Sequence, residues 1–378
     1  VSSNFSKIIL PPATIGIVGG GQLGQMMALA AKQMGYKVGV LDPGINCSAG
    51  QVADFQITAE YADHQALMEL SKKCDVLTYE FENVDVSSLK EAQAYTSLPQ
   101  GTALLTITGN RINEKNFLKK NGISVTDFTA ISDESELAGA IKLIGYPSIL
   151  KTADGGYDGH GQQNLNSVVD LEASLKLIRQ AGCILEKRQP FVKELSVMVT
   201  RSLAGNIQIF PVTENIHHHH ILYQSIIPAR IKGSITKHAQ QIAVTIAEKL
   251  NLRGVLGVEL FLLPNGKLLV NELAPRPHNS GHYSIEACNI SQFEAHIRSI
   301  CGLEIPLIKL NSPAVMMNLL GQHLESARQL MPSRPQWHFH DYGKTEIRQD
   351  RKMGHITLVG NDLNKLLAEI NQESIWEA

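Results

Sequence analysis

No stretch of this 378-residue chain reaches the roughly 18 consecutive apolar residues that a membrane-spanning helix needs. The polar start VSSNFSK also lacks the charged-then-apolar order of a signal peptide. The expectation is a cytoplasmic protein without a membrane partner. Cysteine is scarce: Cys47, Cys74, Cys183, Cys288 and Cys301 are odd in number, widely spaced and never arranged as C-x-x-C. That speaks against a disulfide scaffold and a thiolate zinc or redox motif, and for reduced thiols. Blocks of like charge are missing too, and the formal net charge is only −2, so nothing offers a nucleic acid an electrostatic footprint. There is no G-K-[ST] that would make a Walker A loop, no low-complexity tract and no internal repeat. The tract HHHH at 217–220 has no carboxylate or thiol cluster beside it and reads as a solvated loop. What remains is an ordinary globular composition, 43% hydrophobic and 19% charged, on a chain long enough for two or three domains at about 150 residues each. A multi-domain enzyme acting on small molecules fits these bounds.

From Thr14 the pattern runs strand (TIGIV), glycine turn, helix (QMMALAAKQMG), strand (KVGVLD), helix (DHQALMELSKKC) and strand (DVLTYEF). Such alternation predicts a parallel βαβ sheet. The helix RINEKNFLKKNG follows and stops at Gly122, so a domain boundary is expected near Gly109. The next region alternates helices (ESELAGAIKLIG, VVDLEASLKLIRQAG) with strands (SILKT, CILEK), then turns strand-rich through LSVMVTR and IQIFPV, an α+β module. Beyond about Pro313, AVMMNLLG, WHFHDYG and HITLVG are short strands before a last helix, DLNKLLAEINQ, which together predict a small C-terminal cap. The expected division is therefore 1–109, 110–310 with a lid at about 124–190, and 311–378.

Three stretches carry chemistry. In GGGQLG, Gly19, Gly21 and Gly24 satisfy G-x-G-x-x-G between a strand and a helix, and Asp42 ends the next strand where a ribose-binding acid belongs. A dinucleotide is one reading. Two features weaken it: the parallel pattern stops after about three or four strands, and the remaining motifs lie outside this domain. The helix N-terminus could take the phosphate of a dinucleotide or of a mononucleotide substrate, and tight strand-to-helix packing alone is the further alternative. In GVLGVELFLLPNGKLLVNELAPRPHNSGH, Asn265-Gly266 predicts a two-residue type I′ hairpin with Pro264 opposite Lys267. Opposed residue numbers then sum to 531, and Glu259 faces Glu272. Two carboxylates on one face are costly unless a cation lies between them, and Mg²⁺ is the usual hard-oxygen choice beside phosphates. Asn271, Arg276, His278 and Asn279 crowd the same strand end. In LKTADGGYDGHGQ, a strand-borne Lys151 precedes a glycine-rich loop suited to closing over a triphosphate.

Lys151, the GGYDGHGQ loop, ILEKRQPFVKELSV and the pair GVE…VNELAPRPHNSGH, with RKMGH further on, resemble the ATP-grasp superfamily, and within it the N5-carboxyaminoimidazole ribonucleotide synthases of purine biosynthesis. The likeness runs from about Thr14 to about Val359. It implies a Rossmann-like (pre-ATP-grasp) parallel sheet, a two-lobed ATP-grasp domain and a small strand-rich C-terminal domain. It also implies an ATP-dependent carbon–nitrogen ligase that carboxylates aminoimidazole ribonucleotide with bicarbonate by way of carboxyphosphate, working as a homodimer.

Residue by residue, the resemblance implies ATP contacts from Arg111, Lys151, Gly156, Tyr157, Asp158, Gly159, His160, Gly161 and Gln162. Glu186 and Lys187 would hold the adenine at the hinge and Glu194 the ribose, with Arg188, Gln189, His217, Asn271 and Glu272 completing the nucleotide site. Mg²⁺ (or Mn²⁺) would sit on Glu259 and Glu272. Gln22, Leu23, Glu80, Asn279, Ser280, Lys344, Arg351 and Lys352 would bind the ribonucleotide, so the glycine turn meets a ribonucleotide rather than a dinucleotide. Tyr157, Asp158, Arg276 and His278 are the expected catalytic residues, with Asp158 and His278 positioning bicarbonate and handling the amine proton. Two positions depart from the family pattern: His160 stands where Arg or Lys is usual, and Gln349-Asp350 replaces Pro-Gly before RKMGH. The competing readings are a formate-dependent glycinamide ribonucleotide transformylase, a nicotinamide-dependent oxidoreductase and an inactive nucleotide-binding relative.

Overall fold

The computed structural model describes residues 8–80, 82, 84–155 and 161–377. Strands β1 (Thr14–Val18), β2 (Lys37–Asp42), β3 (Phe55–Thr58) and β4 (Val76–Tyr79) form a parallel sheet in the order β3-β2-β1-β4. Ile15, Ile17, Val18, Val38 and Val40 are fully buried, as expected of strands covered on both faces. The helix Gln22–Gln33 turns Leu23, Met26, Met27, Ala30 and Ala31 into a core shared with Phe293, Ile297 and Ile300 of the helix Gln292–Ile300. That contact ties the first sheet to the body of the molecule.

A small antiparallel lobe follows: β5 (Phe128–Ile131), β6 (Ser148–Thr152), β7 (Gln162–Leu165) and β8 (Cys183–Lys187), in the order β5-β8-β6-β7. Its core gathers Leu150 and Leu185 from the strands with Leu137, Ala140 and Ile144 from one covering helix and Ile178 from another. The chain from Glu186 to Gln189 then crosses to a nine-stranded sheet. Its members are β9 (Lys193–Arg201), β10 (Ile207–Ile209), β11 (Thr213–His218), β12 (Ile221–Ile227), β13 (Val255–Leu262), β14 (Leu268–Ala274), β15 (Ala314–Leu320), β16 (Trp337–Asp341) and β17 (Lys352–Val359). The order is β14-β13-β9-β11-β12-β15-β17-β16, with β10 on β9. The C-terminal strands thus continue the large sheet through the β12–β15 pairing. Among the described residues no helix is long and apolar enough to cross a membrane.

The β13–β14 hairpin departs from the predicted turn. Leu263 N–H donates to Lys267 C=O and Gly266 N–H to Leu263 C=O, both at 2.9 Å, so the loop is Pro264-Asn265-Gly266, with Gly266 at φ +82°. A proline opposite Lys267 would have no N–H to give to the narrow pair, whereas its fixed φ suits the first corner of a type I turn. Pairs next to the turn therefore sum to 530, as in Leu260 with Val270. A register shift between Val258 and Leu260 restores Val258 opposite Leu273. Glu259 lies at that bulge, across from both Asn271 and Glu272, and the bulge keeps the two glutamates together.

Candidate active site

Where the small lobe meets the large sheet lies a buried charge cluster. Lys151 Nζ lies 2.9 Å from Glu186 Oε2 and Lys115 Nζ 3.7 Å from Glu186 Oε1, with Lys115 and Glu186 almost fully enclosed. Burial alone would raise the Glu186 carboxyl, but Lys115 and then Lys151 outweigh it and hold the group down at about 2. Lys115 also donates to Asn271 C=O at 2.7 Å, and Arg111 Nη1 lies 3.2 Å from Glu272 Oε2. Arg111 is placed by its own N–H on Ala153 C=O (2.8 Å), and Asn110 caps the helix it opens. Glu114, one turn on, accepts from Leu273 N–H at 3.0 Å, and burial, then Glu272, push its carboxyl up to about 8. Neither Glu114 nor Lys115 was among the sequence candidates. Their signal was the i, i+3, i+4 spacing of Arg111, Glu114 and Lys115 on one helix face.

Of the hinge residues, Glu186 sends its carboxylate to the lysines. Lys187 Nζ donates to Tyr146 C=O (2.9 Å), Arg188 to Asn166 Oδ1 (3.0 Å) and Gln189 to Thr126 Oγ1 (2.8 Å). These contacts fix the crossing segment. Lys193 pairs with Glu214 at 2.6 Å, which leaves the next residue, Glu194, to His217 Nδ1, also at 2.6 Å. Burial works against the imidazolium of His217, but Glu194 prevails and raises its proton affinity. His217 is therefore a partly buried partner on β11; His218, His219 and His220 are exposed as the solvated reading expects, but only His219 and His220 form the turn, His218 ending the strand.

Burial, and then Glu272, raise the Glu259 carboxyl to about 7, whereas at Glu272 burial is outweighed by Arg111 together with Lys151 and Lys115, which hold the carboxyl down. Asn271 Nδ2 donates to Glu259 Oε2 at 3.3 Å. Among the described residues no three His, Cys, Asp or Glu side chains are grouped to hold a metal alone. Two carboxylates and an amide on a strand end nevertheless match the hard-oxygen set of Mg²⁺, which draws its other ligands from phosphates and water. The raised proton affinity of Glu259 marks where positive charge is wanted.

The glycine turn is the clearest surprise. Gly20 N–H donates to Asp42 Oδ2 at 2.7 Å and Gly21 N–H to Glu80 Oε2 at 2.8 Å. The backbone donors that a dinucleotide pyrophosphate would use are filled by the protein's own carboxylates, and Asp42 is further bound by Tyr61 (2.6 Å). The helix behind begins at Gln22 with no capping side chain. The Leu23 side chain is in the core, which leaves its backbone as the part able to meet a ligand. Across the gap stand Arg276, 2.8 Å from Glu82, and the C-terminal cations. Gln51 donates to Gly343 C=O (2.9 Å), and Lys344 Nζ to Lys352 C=O (2.8 Å). Arg276 and Lys344 both act on Glu80, although burial outweighs them and raises its carboxyl. Burial, then Arg351, push the Lys344 ammonium down to about 8. Arg351 donates to Glu346 C=O (2.9 Å). Asp350, at φ +61°, exchanges hydrogen bonds with Gln322 at 3.0 and 3.1 Å, which holds its carboxylate to that partner.

Both side-chain atoms of buried Asn279 lack a hydrogen-bond partner among the described residues. Ser280, by contrast, is fully enclosed, and its hydroxyl bonds to Ser196 and His278. His278 Nε2 lies 3.3 Å from Glu259 Oε1, and burial, then Arg276, keep its ring far below the usual histidine range and hence neutral. Gly161 and Gln162 are described, Gly161 at φ +71°. Gly156, Tyr157, Asp158, Gly159 and His160 lie outside the described residues.

Comparison with known proteins agrees with this arrangement. Residues 116–293 match the ATP-grasp domain, 12–108 the ribonucleotide synthetase preATP-grasp domain, and 314–369 the phosphoribosylaminoimidazole carboxylase C-terminal domain. The chain is 46% identical over 367 residues (97% of each chain) to the N5-carboxyaminoimidazole ribonucleotide synthase of Bacillus subtilis. It superposes on the ADP complex of the Staphylococcus aureus enzyme with a TM-score of 0.93 at 44% identity, covering 98% of each chain. On the Aspergillus clavatus enzyme with ADP and 5-aminoimidazole ribonucleotide the TM-score is 0.90 at 31% identity, covering 97% of this chain and 98% of that one. The chain belongs to the N5-carboxyaminoimidazole ribonucleotide synthases, ATP-grasp ligases of purine biosynthesis.

Proposed function

We propose that the cleft between the small lobe and the large sheet uses ATP and bicarbonate to carboxylate the amine of 5-aminoimidazole ribonucleotide, with the residues acting as follows. The crossing segment Glu186–Gln189 frames the adenine, Glu194 and His217 the ribose, and Arg111 and Lys151 the phosphates, with Gly161 and Gln162 at the end of the closing loop. Lys115 keeps Glu186 ionised so that Lys151 stays pointed at the phosphates. Glu259 and Glu272, with Asn271 beside them, hold Mg²⁺ or Mn²⁺. When bound, such an ion neutralises phosphate charge.

Bicarbonate is a poor electrophile. Transfer of the γ-phosphoryl group to one of its oxygens gives carboxyphosphate and ADP. The substrate amine then attacks the carboxyl carbon, or the CO₂ released from it, and phosphate leaves. Arg276 and Lys151 supply positive charge where charge builds on the transferring group. His278, as a neutral donor, positions bicarbonate, and Asp158 takes the amine proton. Because carboxyphosphate decomposes in water, a glycine-rich loop at 155–161 that closes over the site fits the chemistry. The ribonucleotide lies between Gln22, the Leu23 backbone, Glu80 and Asn279 on one side and Lys344, Arg351 and Lys352 on the other, the cations taking its phosphate. Ser280 acts through His278.

The observation that supports this reading is that the Lys115–Glu186–Lys151 cluster and Arg111 act directly on Glu272 of the carboxylate pair, while Lys352 of the C-terminal region acts on His217 and His278 beside Glu259. The test is ADP release with Mg²⁺-ATP in bicarbonate-supplied and bicarbonate-depleted buffer, with and without aminoimidazole ribonucleotide. Ribonucleotide-dependent turnover that yields the carboxylated product only with bicarbonate is expected. Turnover requiring formate and glycinamide ribonucleotide would transfer the chain to the sister activity.

A further inference from the structure

His278 is held by more than its own strand end. Gln292 clamps its backbone on both sides, accepting from His278 N–H at 2.9 Å and donating to its carbonyl at 2.7 Å. Gly257 lies beneath, where an added Cβ would come within 3.0 Å of His278 Cβ. The ring has one place to be. Its Nδ1 accepts from Ser280 N–H at 3.4 Å and lies 2.9 Å from Ser280 Oγ. Behind Ser280 runs a file of enclosed polar groups. Ser196 Oγ donates to Ser280 Oγ at 2.7 Å, Asn215 Nδ2 donates to Ser196 Oγ at 2.9 Å, and Ser225 Oγ donates to Asn215 Oδ1 at 2.9 Å. Ser196, Ser225 and Ser280 are completely buried and Asn215 nearly so.

Each member of this file settles the next. The Asn215 amide donor fills a lone pair of Ser196, whose proton then goes to Ser280. Ser280 in turn has its own proton to give to Nδ1, where the Ser280 backbone N–H also points. An Nδ1 that accepts from two donors carries no proton, so in the neutral ring the proton is on Nε2. Nε2 is the atom 3.3 Å from Glu259 Oε1.

We propose that Ser225, Asn215, Ser196 and Ser280 form a positioning file that sets His278 as the Nε2–H tautomer and presents that N–H, on the Glu259 side of the ring, to the bicarbonate. Histidine in this state donates to an anion and takes no proton from the amine. The kinetic half of the proposal rests on the bicarbonate placement given under Proposed function. The tautomer half does not.

The experiment is ¹⁵N–¹H correlation spectroscopy of the full-length enzyme labelled at its 14 histidines, free of substrates, with His278 assigned from the signals lost in His278→Gln. Wild type is expected to show unprotonated Nδ1 and protonated Nε2. In Ser196→Ala, Ser280 Oγ loses its donor and can accept from Nδ1–H. A mixed tautomer population is expected, with a rise of about ten-fold in KM for bicarbonate at unchanged KM for ATP. Ser196→Thr, which restores the hydroxyl, is expected to restore both. A protonated Nδ1 in wild type, or unchanged His278 signals in Ser196→Ala, would overturn the proposal. A tautomer shift with KM for bicarbonate unmoved would support the file and overturn the bicarbonate placement.

Discussion

Glu186→Gln tests the buried charge cluster most sharply. In the folded protein Glu186 is enclosed between Lys115 and Lys151, and those cations hold its carboxyl at about 2 against an ordinary 4.5. At about 1.4 kcal/mol per pH unit, that fall corresponds to about 3 kcal/mol of stability at neutral pH. The amide keeps the shape but leaves two ammonium groups facing each other out of water, the situation in which removing one partner of a buried pair is strongly destabilising. For a unit of about 150–250 residues, about 3 kcal/mol lowers Tm by about 6–12 °C. The sign with pH follows from the direction of the shift. A carboxyl whose affinity for protons is depressed by folding contributes fully above its ordinary value, and the contribution is lost as pH falls from about 4.5 toward about 2. Thermal melts of wild type and Glu186→Gln should therefore lie far apart at neutral pH and converge in acid. Equal Tm values at neutral pH, or a gap that persists to the lowest pH at which both fold, would refute the reasoning. Calorimetric titration with ADP should show weaker binding by the variant, because Lys151 loses its anchor.

The other predictions are shorter. Lys344, pushed down to about 8 by burial and then by Arg351, carries its charge below that pH and loses it above. KM for the ribonucleotide should thus rise as pH passes about 8, and Lys344→Arg should flatten the profile. Glu272→Gln removes a charge opposite Glu259 and one of the carboxylates that act on Arg111. The expected result is a fall in Mg²⁺ affinity of about ten-fold or more with Tm within a few degrees, read by calorimetric Mg²⁺ titration with ADP present. Gly24→Ala places a Cβ 2.5 Å from Gly19 C=O, a backbone atom that cannot swing away. It should destabilise the first sheet by about 1–3 kcal/mol in denaturant unfolding.

Much of this was legible in the residues. β1, β2 and β4 announced themselves as apolar runs alternating with helices. β3 did not, because FQIT is four residues on a sheet edge, with Gln56 and Thr58 interrupting any apolar pattern. The glycine turn was readable as a motif but not as a site. Only the fold brings Glu80, 59 positions away, onto the Gly21 N–H. The Glu259–Glu272 pair was reached through a register that Pro264 does not permit, and a bulge compensates for the error. Nothing local in RINEKNFLKK marks Lys115 as buried. Its burial comes from packing against β14, where it finds Asn271 C=O. Long-range burial of charge leaves little trace in local sequence.

The measurement that bears most directly on the central claim is transfer of ¹⁸O from labelled bicarbonate to inorganic phosphate during turnover with Mg²⁺-ATP and aminoimidazole ribonucleotide. If ATP phosphorylates bicarbonate in this cleft, one bicarbonate oxygen leaves with the phosphate, and label appears there in step with ADP. Turnover that forms the carboxylated product while the phosphate stays unlabelled would contradict the account.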